Sequence, residues 1–232
     1  MTENNKEISN QTNSSEMNRS VLRNGLMLGI FALVSTGLIA VTHLLTKDKI
    51  AKELELALVR QLTQMVPPEN YDNQVYNDCI KVLNKELLGS SEAQQVYRMR
   101  NNQSNYALMI TAVAPDGYSG NIQLALATDA RGKVLGVNIL AHQETPGLGD
   151  KIERSKSSWI EQFDGLSLQT QSKEYFKVTK DGGEFDSLTG ATITSRAMVK
   201  SVYNALKFIN LQNKQLFKRT SNCVVEQEPN EE

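Results

Sequence analysis

Seven residues near the C-terminus combine the groups that would hold a phosphate: Asp186-Ser187-Leu188-Thr189-Gly190-Ala191-Thr192. Gly190 allows the backbone to come close to a ligand, and Thr192 offers a hydroxyl at that point. The first amides of a following helix would lack internal partners and carry the positive end of its dipole. Ser and Thr also cluster where they simply cap helices and fill turns. The spacing alone therefore leaves both a phosphate site and an ordinary helix start open.

The helix that must position this stretch is indicated by its apolar spacing. After Thr194 and Ser195, apolar residues recur with a helical period at Ala197, Met198, Val202, Ala205, Leu206 and Ile209. A second loop, residues 144–149, joins a predicted strand to a predicted helix. Its two glycines permit close approach of the backbone to a planar ring, and Pro146 stiffens it, although an ordinary connection has the same composition.

Four segments in the middle of the chain have the pattern of β-strands: residues 96–99, 106–113, 122–128 and 133–139. In the third, large aliphatic residues alternate with Gln123, Ala125 and Ala127, which predicts a sheet with one buried face. Residues 150–163 are predicted to be helical, and residues 175–179 to be a short strand. Strands in the middle with helices at both ends predict an α+β domain, with a largely antiparallel sheet flanked by helices.

The N-terminal part has the composition of a membrane anchor. Residues 1–20 are polar, which predicts a disordered tail. An apolar run without a formal charge extends from Gly25 to Leu45, and we predict a transmembrane helix over residues 21–46. A cleaved signal peptide is the alternative, but the run is long and no small-residue cleavage pattern follows it. A helical period then continues to Pro67-Pro68. The predicted division is completed by a helical connector (47–95), the folded domain (96–212) and a C-terminal tail (213–232).

Composition excludes several kinds of function. The formal net charge of −1 gives no basic surface for nucleic acid. Two cysteines and two histidines offer little for a metal centre, so an organic cofactor is the better expectation. The sequence contains neither a Rossmann glycine fingerprint nor a cysteine cluster for an iron–sulfur centre.

The Asp-x-x-Thr-Gly-Ala-Thr stretch resembles the flavinylation motif of the FMN-binding domain shared by the Rnf complex and the sodium-translocating NADH:quinone reductase. Three further segments resemble this family: residues 114–120, 142–152 and 180–186. With a single N-terminal span, their order is more similar to the G subunit of the Rnf (Rsx) electron transport complex than to the C subunit of the sodium pump. The resemblance covers roughly residues 20 to 210.

The resemblance implies FMN joined through its phosphate to Thr192, with Thr189, Gly190 and Ala191 completing the motif. It also implies that Asp186 engages a separate flavin transferase, which uses FAD as donor and a magnesium ion. Residues expected against the flavin ring or its ribityl chain are Glu144, Thr145, Leu148 and Lys151. A lysine near the pyrimidine end would favour the anionic reduced ring, although Lys151 is also compatible with a solvated helix residue. Trp159, Tyr118 and Phe185 are interpreted as core or rim packing.

The resulting hypothesis is an electron-relaying flavoprotein subunit of the Rnf/Rsx membrane complex, with no catalytic residue and no metal of its own. The resemblance implies a single-pass protein of the bacterial inner membrane with its FMN domain in the periplasm. The alternatives are the sodium-pump subunit and a non-redox scaffold module whose Ser/Thr loop only caps a helix. A periplasmic domain also predicts a disulfide between Cys79 and Cys223, the two cysteines of the sequence.

Overall fold

The computed structural model describes residues 4–222, which belong to two compact units that divide between Leu56 and Ala57. The helices are α1 (Asn4–Met65), α2 (Lys85–Leu88) and α3 (Thr192–Lys218). The strands are β1 (Cys79–Val82), β2 (Gln94–Asn101), β3 (Ser104–Gly117), β4 (Gly120–Asp129) and β5 (Val134–Ala141). Short 3-10 turns occupy Pro68–Asn70, Gly149–Ile152, Trp159–Phe163 and Thr179–Asp181.

The first unit contains a helical segment, Val21–Lys47, that is long and apolar enough to cross a membrane. Its most apolar stretch of 18 residues has a mean hydropathy of 2.1 and no buried residue, and the whole segment has 27 residues. At about 1.5 Å per residue they span a hydrocarbon core of about 30 Å. Helix α1 already begins at Asn4, where we predicted a disordered tail. No proline or glycine precedes Gly25, so nothing in the sequence stops a helix formed in the apolar segment from extending backwards.

The second unit is built on a five-stranded antiparallel meander in the order β1-β2-β3-β4-β5. The four predicted strands are present as β2 to β5, each longer than its predicted core. With α3 packed on the sheet, this confirms the predicted α+β class with a largely antiparallel sheet.

Strand β1 was not predicted and lies inside the segment assigned to a helical connector, residues 47–95. It has four residues and the burial pattern buried, buried, exposed, buried, so it shows no alternation. Its strand conformation comes from pairing with β2, where Ile80 faces Val96. The prediction for this part of the connector is therefore wrong, because an edge strand of this length is specified by its partner and not by its own pattern.

The central strands are buried on both faces, whereas alternation in β4 predicted only one buried face. One face carries Ile122, Leu124 and Leu126 into the core beneath α3. The other carries Ala125 and Ala127 into a second apolar cluster, and both alanines have no exposed surface. That cluster includes Met65, Val66, Val75, Tyr97, Met99 and Met109. The end of α1 and the chain that follows it thus cover a face that local alternation marks as only weakly apolar.

Two predicted elements between the sheet and α3 take a different form. Residues 150–163 form two separate 3-10 turns and not one helix. The Ser157 hydroxyl donates to Lys151 O at 2.6 Å and accepts from Trp159 N at 3.1 Å, so a side chain replaces the helical ladder here. The predicted strand at 175–179 is reduced to a single bridge between Val178 and Phe185, because the chain turns back on itself at once.

Helix α3 extends beyond residue 212, where we placed the end of the folded domain. Leu216 and Phe217 are buried. Arg98 Nη1 donates to Leu216 O at 3.2 Å, and Arg100 Nη2 donates to Phe217 O at 3.0 Å. These two guanidinium groups satisfy carbonyls that the end of a helix leaves without partners, so the first residues of the predicted tail belong to the domain. Residues 223–232, including Cys223, lie outside the described part of the chain.

Candidate functional site

Thr192 is the first residue of α3, directly after a tight turn. Ala191 N donates to Leu188 O at 3.0 Å, and Gly190 adopts a φ of 80°. Ser195, in the first turn of α3, stabilises this turn. Its hydroxyl accepts from Leu188 N at 3.0 Å and donates to Ala191 O at 3.2 Å. The left-handed conformation at Gly190 is one that other residues adopt only with strain.

Thr192 is not used to cap the helix. The N-cap residue is Ala191, whose side chain makes no capping hydrogen bond. The Thr192 side chain is half-buried, and its Oγ1 accepts a hydrogen bond from Lys180 Nζ at 3.0 Å. A hydroxyl beside an ammonium group, at the positive end of a helix dipole, is a favourable place for a phosphate.

Lys180 comes from the 3-10 turn Thr179–Asp181, which is tied to α3 by the next residue. Arg196 donates to both carboxylate oxygens of Asp181, at 2.6 and 2.7 Å. Hydrogen bonding from Arg196 lowers the pKa of Asp181 below its usual value, despite the opposing effect of desolvation. Arg196 follows Thr192 by one helical turn, so this pair holds the turn alongside the start of the helix.

Glu144 joins three segments of the site. Thr194 Oγ1 donates to its Oε2 at 2.5 Å, and the backbone N–H of Ser119 donates to its Oε1 at 3.0 Å. The residue is only 4% exposed. Glu144 was predicted to lie against the flavin, but both carboxylate oxygens are engaged within the protein. It connects the β3–β4 hairpin, the loop after β5 and the start of α3.

The loop after Glu144 folds around one carbonyl. Thr145 O accepts from the backbone N–H groups of Leu148 at 3.2 Å and Gly149 at 3.0 Å. A Cβ placed on Gly149 would lie 2.9 Å from Glu144 Cβ and 3.1 Å from Thr194 Oγ1, so glycine is required by this packing. The structure therefore presses the loop against the beginning of α3.

Leu148 and Gly190, predicted to belong to one site, are brought together. A Cβ on Gly190 would lie 3.1 Å from Leu148 Cδ2, although the Leu148 side chain is still 41% exposed. Thr145 and Thr189 are exposed as well, and Lys151 is half-buried on the Gly149–Ile152 turn. Thr145, Leu148 and Thr189 thus lie on the surface, whereas Glu144 and Ala191 are buried.

Asp186 is exposed, but its backbone is held on both sides. Its carbonyl accepts from Trp159 Nε1 at 2.6 Å, and its N–H donates to Gln162 Oε1 at 2.9 Å. Trp159 and Phe185 are buried, as predicted for packing residues, whereas Tyr118 is 66% exposed on the hairpin next to Ser119. The motif thus starts from a rigid position while the Asp186 carboxylate remains accessible.

His142 holds the backbone at the start of the same loop through a hydrogen bond. Its Nδ1 accepts from Glu144 N at 3.0 Å, so the ring proton is assigned to Nε2, which lies 2.8 Å from Glu153 Oε1. This hydrogen bond is the largest cause of a lowered pKa for Glu153. The arrangement fixes the backbone of Glu144, the residue that joins the segments.

Sequence reasoning missed four parts of this site: Lys180, Thr194, Ser119 and Trp159. Lys180 lies inside a segment that resembles the family, which was an available signal. Ser119 likewise lies inside such a segment, residues 114–120. Thr194 and Trp159 had no such signal, because their contacts cross 50 and 27 residues of sequence.

The chain matches two family models and is similar to several known proteins. Residues 117–207 match the FMN-binding domain model, and residues 17–65 match the RnfG N-terminal region model. The chain is 46% identical over 207 residues to the G subunit of the ion-translocating oxidoreductase complex of Shewanella amazonensis, covering 89% of this chain and 96% of that protein. It is 44% identical over 207 residues to the protein of the same name from Vibrio atlanticus, covering 89% and 99%.

Among solved structures, the chain resembles the C subunit of the Na(+)-translocating NADH-quinone reductase of Parabacteroides distasonis. The sequences are 17% identical, and the TM-score is 0.43. The match covers 62% of this chain and 78% of the other.

Proposed function

Because the chain belongs to the family of G subunits of ion-translocating oxidoreductase complexes, we propose that it relays electrons through FMN held covalently on Thr192. It is a membrane flavoprotein of such a complex, and the other subunits of that complex are its partners. The observation that carries the proposal is the position of the Thr192 hydroxyl. Thr192 is the first residue of α3 and is not its N-cap, and its Oγ1 lies 3.0 Å from Lys180 Nζ.

The residues present fit a phosphate ester. Gly190, at a φ of 80°, removes side-chain bulk in front of the helix start, and the partly exposed Thr192 can be reached from outside. The helix dipole and the Lys180 ammonium both favour the negative charge of the ester. The competing interpretation as a scaffold with a capping loop has little support, because the cap residue is Ala191.

Attachment requires a separate flavin transferase with FAD as donor. Thr192 Oγ1 attacks the phosphorus of the FMN half, a new oxygen–phosphorus bond forms, and the diphosphate bond of FAD breaks. AMP leaves with the bonding electrons, and the hydroxyl proton passes to a base of the transferase. A threonine hydroxyl is a weak nucleophile near neutral pH. Asp186, exposed and with its backbone fixed by Trp159, is placed to meet the transferase and its magnesium ion.

FMN, once bound, supplies one-electron chemistry. Leu148 offers an exposed apolar side chain in contact with Gly190, and Thr145 and Lys151 flank it on the same loop. These three residues are proposed to lie against the ring or its ribityl chain. Glu144 is proposed to position the loop and not to touch the flavin, since Thr194 and Ser119 occupy its oxygens.

The site is open, which suits exchange with other subunits. Because the sequence has neither a Rossmann fingerprint nor a cysteine cluster, electrons are proposed to come from partner subunits and not directly from NADH. We propose that Val21–Lys47, which is long and apolar enough to cross a membrane, anchors the protein in the bacterial inner membrane, and that the FMN domain lies in the periplasm. The charges that flank the span do not argue against this orientation, because long domains cross membranes largely regardless of flanking charge.

The deciding experiment compares wild type with Thr192→Ala, both produced together with a flavin transferase. Wild type is expected to give a fluorescent band under ultraviolet light on a denaturing gel, and its mass is expected to include one FMN. Thr192→Ala should give neither, while Thr220→Ala, which changes an exposed threonine outside the motif, should give both. A fluorescent Thr192→Ala band would overturn the proposal.

A further inference from the structure

Lys180 and Thr192 are 12 residues apart in sequence, and their side chains are joined by a 3.0 Å hydrogen bond. The donor is an ammonium group and the acceptor is the hydroxyl oxygen proposed to bear the phosphate. The contact is exposed to solvent on the lysine side. A cation at this distance from a reacting oxygen affects any charge that develops there.

The position of Lys180 is determined by the residues on each side of it. Before it, Val178 is buried and bridges to Phe185, and Thr179 N donates to Phe185 O at 2.8 Å. After it, Asp181 is paired with Arg196 on α3. The backbone of the turn is therefore held next to the helix start, and only the flexible lysine side chain remains to be oriented.

We propose that Lys180 promotes attachment of the flavin at Thr192 and afterwards pairs with the phosphate ester; this inference rests on the proposed function. As the Oγ1–phosphorus bond forms and the FAD diphosphate bond breaks, negative charge builds up on the phosphoryl oxygens beside Oγ1. The Lys180 ammonium stabilises that charge. Lys180 is not the base, because it donates to Oγ1, and the hydroxyl proton goes to the transferase.

The lysine is expected to act as a point charge. An ammonium group has no fixed fork geometry, so an arginine of similar reach preserves the charge while changing its shape. A contact with an exposed partner is also screened by salt, with a Debye length of about 10 Å at 0.1 M and about 3 Å at 1 M. These two properties separate an electrostatic role from simple packing.

The test uses the full-length protein in detergent with purified flavin transferase, FAD and Mg²⁺, and follows the rate at which the protein band becomes fluorescent. At saturating protein concentration, Lys180→Ala is expected to be slower by about tenfold, which is less than the roughly 100- to 1,000-fold cost of losing one buried charge-stabilising donor, because Lys180 is exposed. Lys180→Arg should recover most of the rate. Lys207→Ala, an exposed lysine farther along α3, is the matched control and should react like wild type.

Salt provides a second measurement. Raising the ionic strength should slow wild type more than Lys180→Ala, and the thermal unfolding midpoint should be the same for both. Lys180→Ala labelled at the wild-type rate, or Lys180→Arg as slow as Lys180→Ala, would overturn the inference. If wild type takes up no flavin at Thr192 at all, the proposed function fails. Normal labelling of both wild type and Lys180→Ala rejects only the role of Lys180.

Discussion

The hydroxyl of Thr194 donates a 2.5 Å hydrogen bond to Glu144 Oε2, across 50 residues of sequence. Thr194 is fully buried two residues into α3, and Glu144 begins the loop that carries Leu148. This pair ties the proposed attachment helix to the proposed ring-contacting loop, so the distance between the two parts of the site depends on it.

Loss of the Glu144 carboxylate is expected to destabilise the domain. Glu144→Ala leaves the Thr194 hydroxyl and the Ser119 N–H without their partner, and each buried group left unsatisfied costs about 1–3 kcal/mol. Glu144→Gln keeps an acceptor and should lose less. Thermal unfolding of both variants, with Gln143→Ala as control, measures the effect. An unchanged midpoint for Glu144→Ala would show that the carboxylate is not a structural link.

Thr192→Ser is expected to remain a substrate for flavin attachment, because the hydroxyl is kept. Thr is β-branched and restricted in χ1, whereas serine samples more rotamers, so attachment should be slower by a few-fold. The mass of the purified variant should still include one FMN. Complete loss of the flavin from this variant would mean that the threonine methyl group, and not only the hydroxyl, is needed.

Protein produced without a flavin transferase is expected to fold and to lack covalent flavin. The described partner of Thr192 Oγ1 is the Lys180 ammonium, which is a donor and does not activate the hydroxyl as a base. Incubation with FMN alone, followed by denaturing electrophoresis, should leave the band without fluorescence. Adding transferase, FAD and Mg²⁺ to the same sample is the positive control. Spontaneous loading by FMN would refute this prediction.

Stability is expected to depend on Glu153 at acid pH. Hydrogen bonding with His142 lowers the pKa of Glu153 from its usual 4.5, so the folded state favours the carboxylate. The resulting stabilisation is fully present above that usual value and disappears as pH falls through the lower folded pKa. Glu153→Gln should therefore be less stable than wild type near neutral pH, with a difference that shrinks as the pH falls below about 4.5.

Denaturant unfolding across this pH range measures the difference, with Glu174→Gln as an exposed control. A gap between wild type and Glu153→Gln that stays constant with pH would exclude the His142–Glu153 contact as its source.

Cys79 is disulfide-bonded, and we predict that its partner is Cys223, the other cysteine of the sequence. Asn222 N donates to Cys79 O at 3.1 Å, and Lys81 N donates to Asn222 Oδ1 at 2.7 Å, so the chain preceding Cys223 runs beside β1. On the chain-entropy model the long closed loop is worth at most about 4–5 kcal/mol. Peptide mapping of membrane-purified protein, alkylated before reduction, should show the linked peptides. Alkylated, unlinked peptides for both cysteines would refute the bond and weaken the periplasmic assignment.

Local pattern was sufficient for the elements that carry their own signal. The helical spacing after Thr194 predicted α3, and runs with the pattern of strands, alternating in β4, predicted β2 to β5, because side-chain period and turn residues act over a few neighbours. The attachment motif is likewise contiguous, and the apolar run before Lys47 needs only its length and composition. These features could be read from the sequence since each depends on residues that are close together along the chain.

The tertiary structure decided what depends on residues far apart. Strand β1 exists because β2 pairs with it, and the second face of the sheet is buried because the chain around Met65 returns to cover it. The contacts of Thr192 with Lys180 and of Thr194 with Glu144 cross 12 and 50 residues. No periodicity encodes such distances, since they are determined by how turns and strands pack against α3. Thus the sequence located the hydroxyl proposed to react, and only the fold identified the charge and the carboxylate beside the start of its helix.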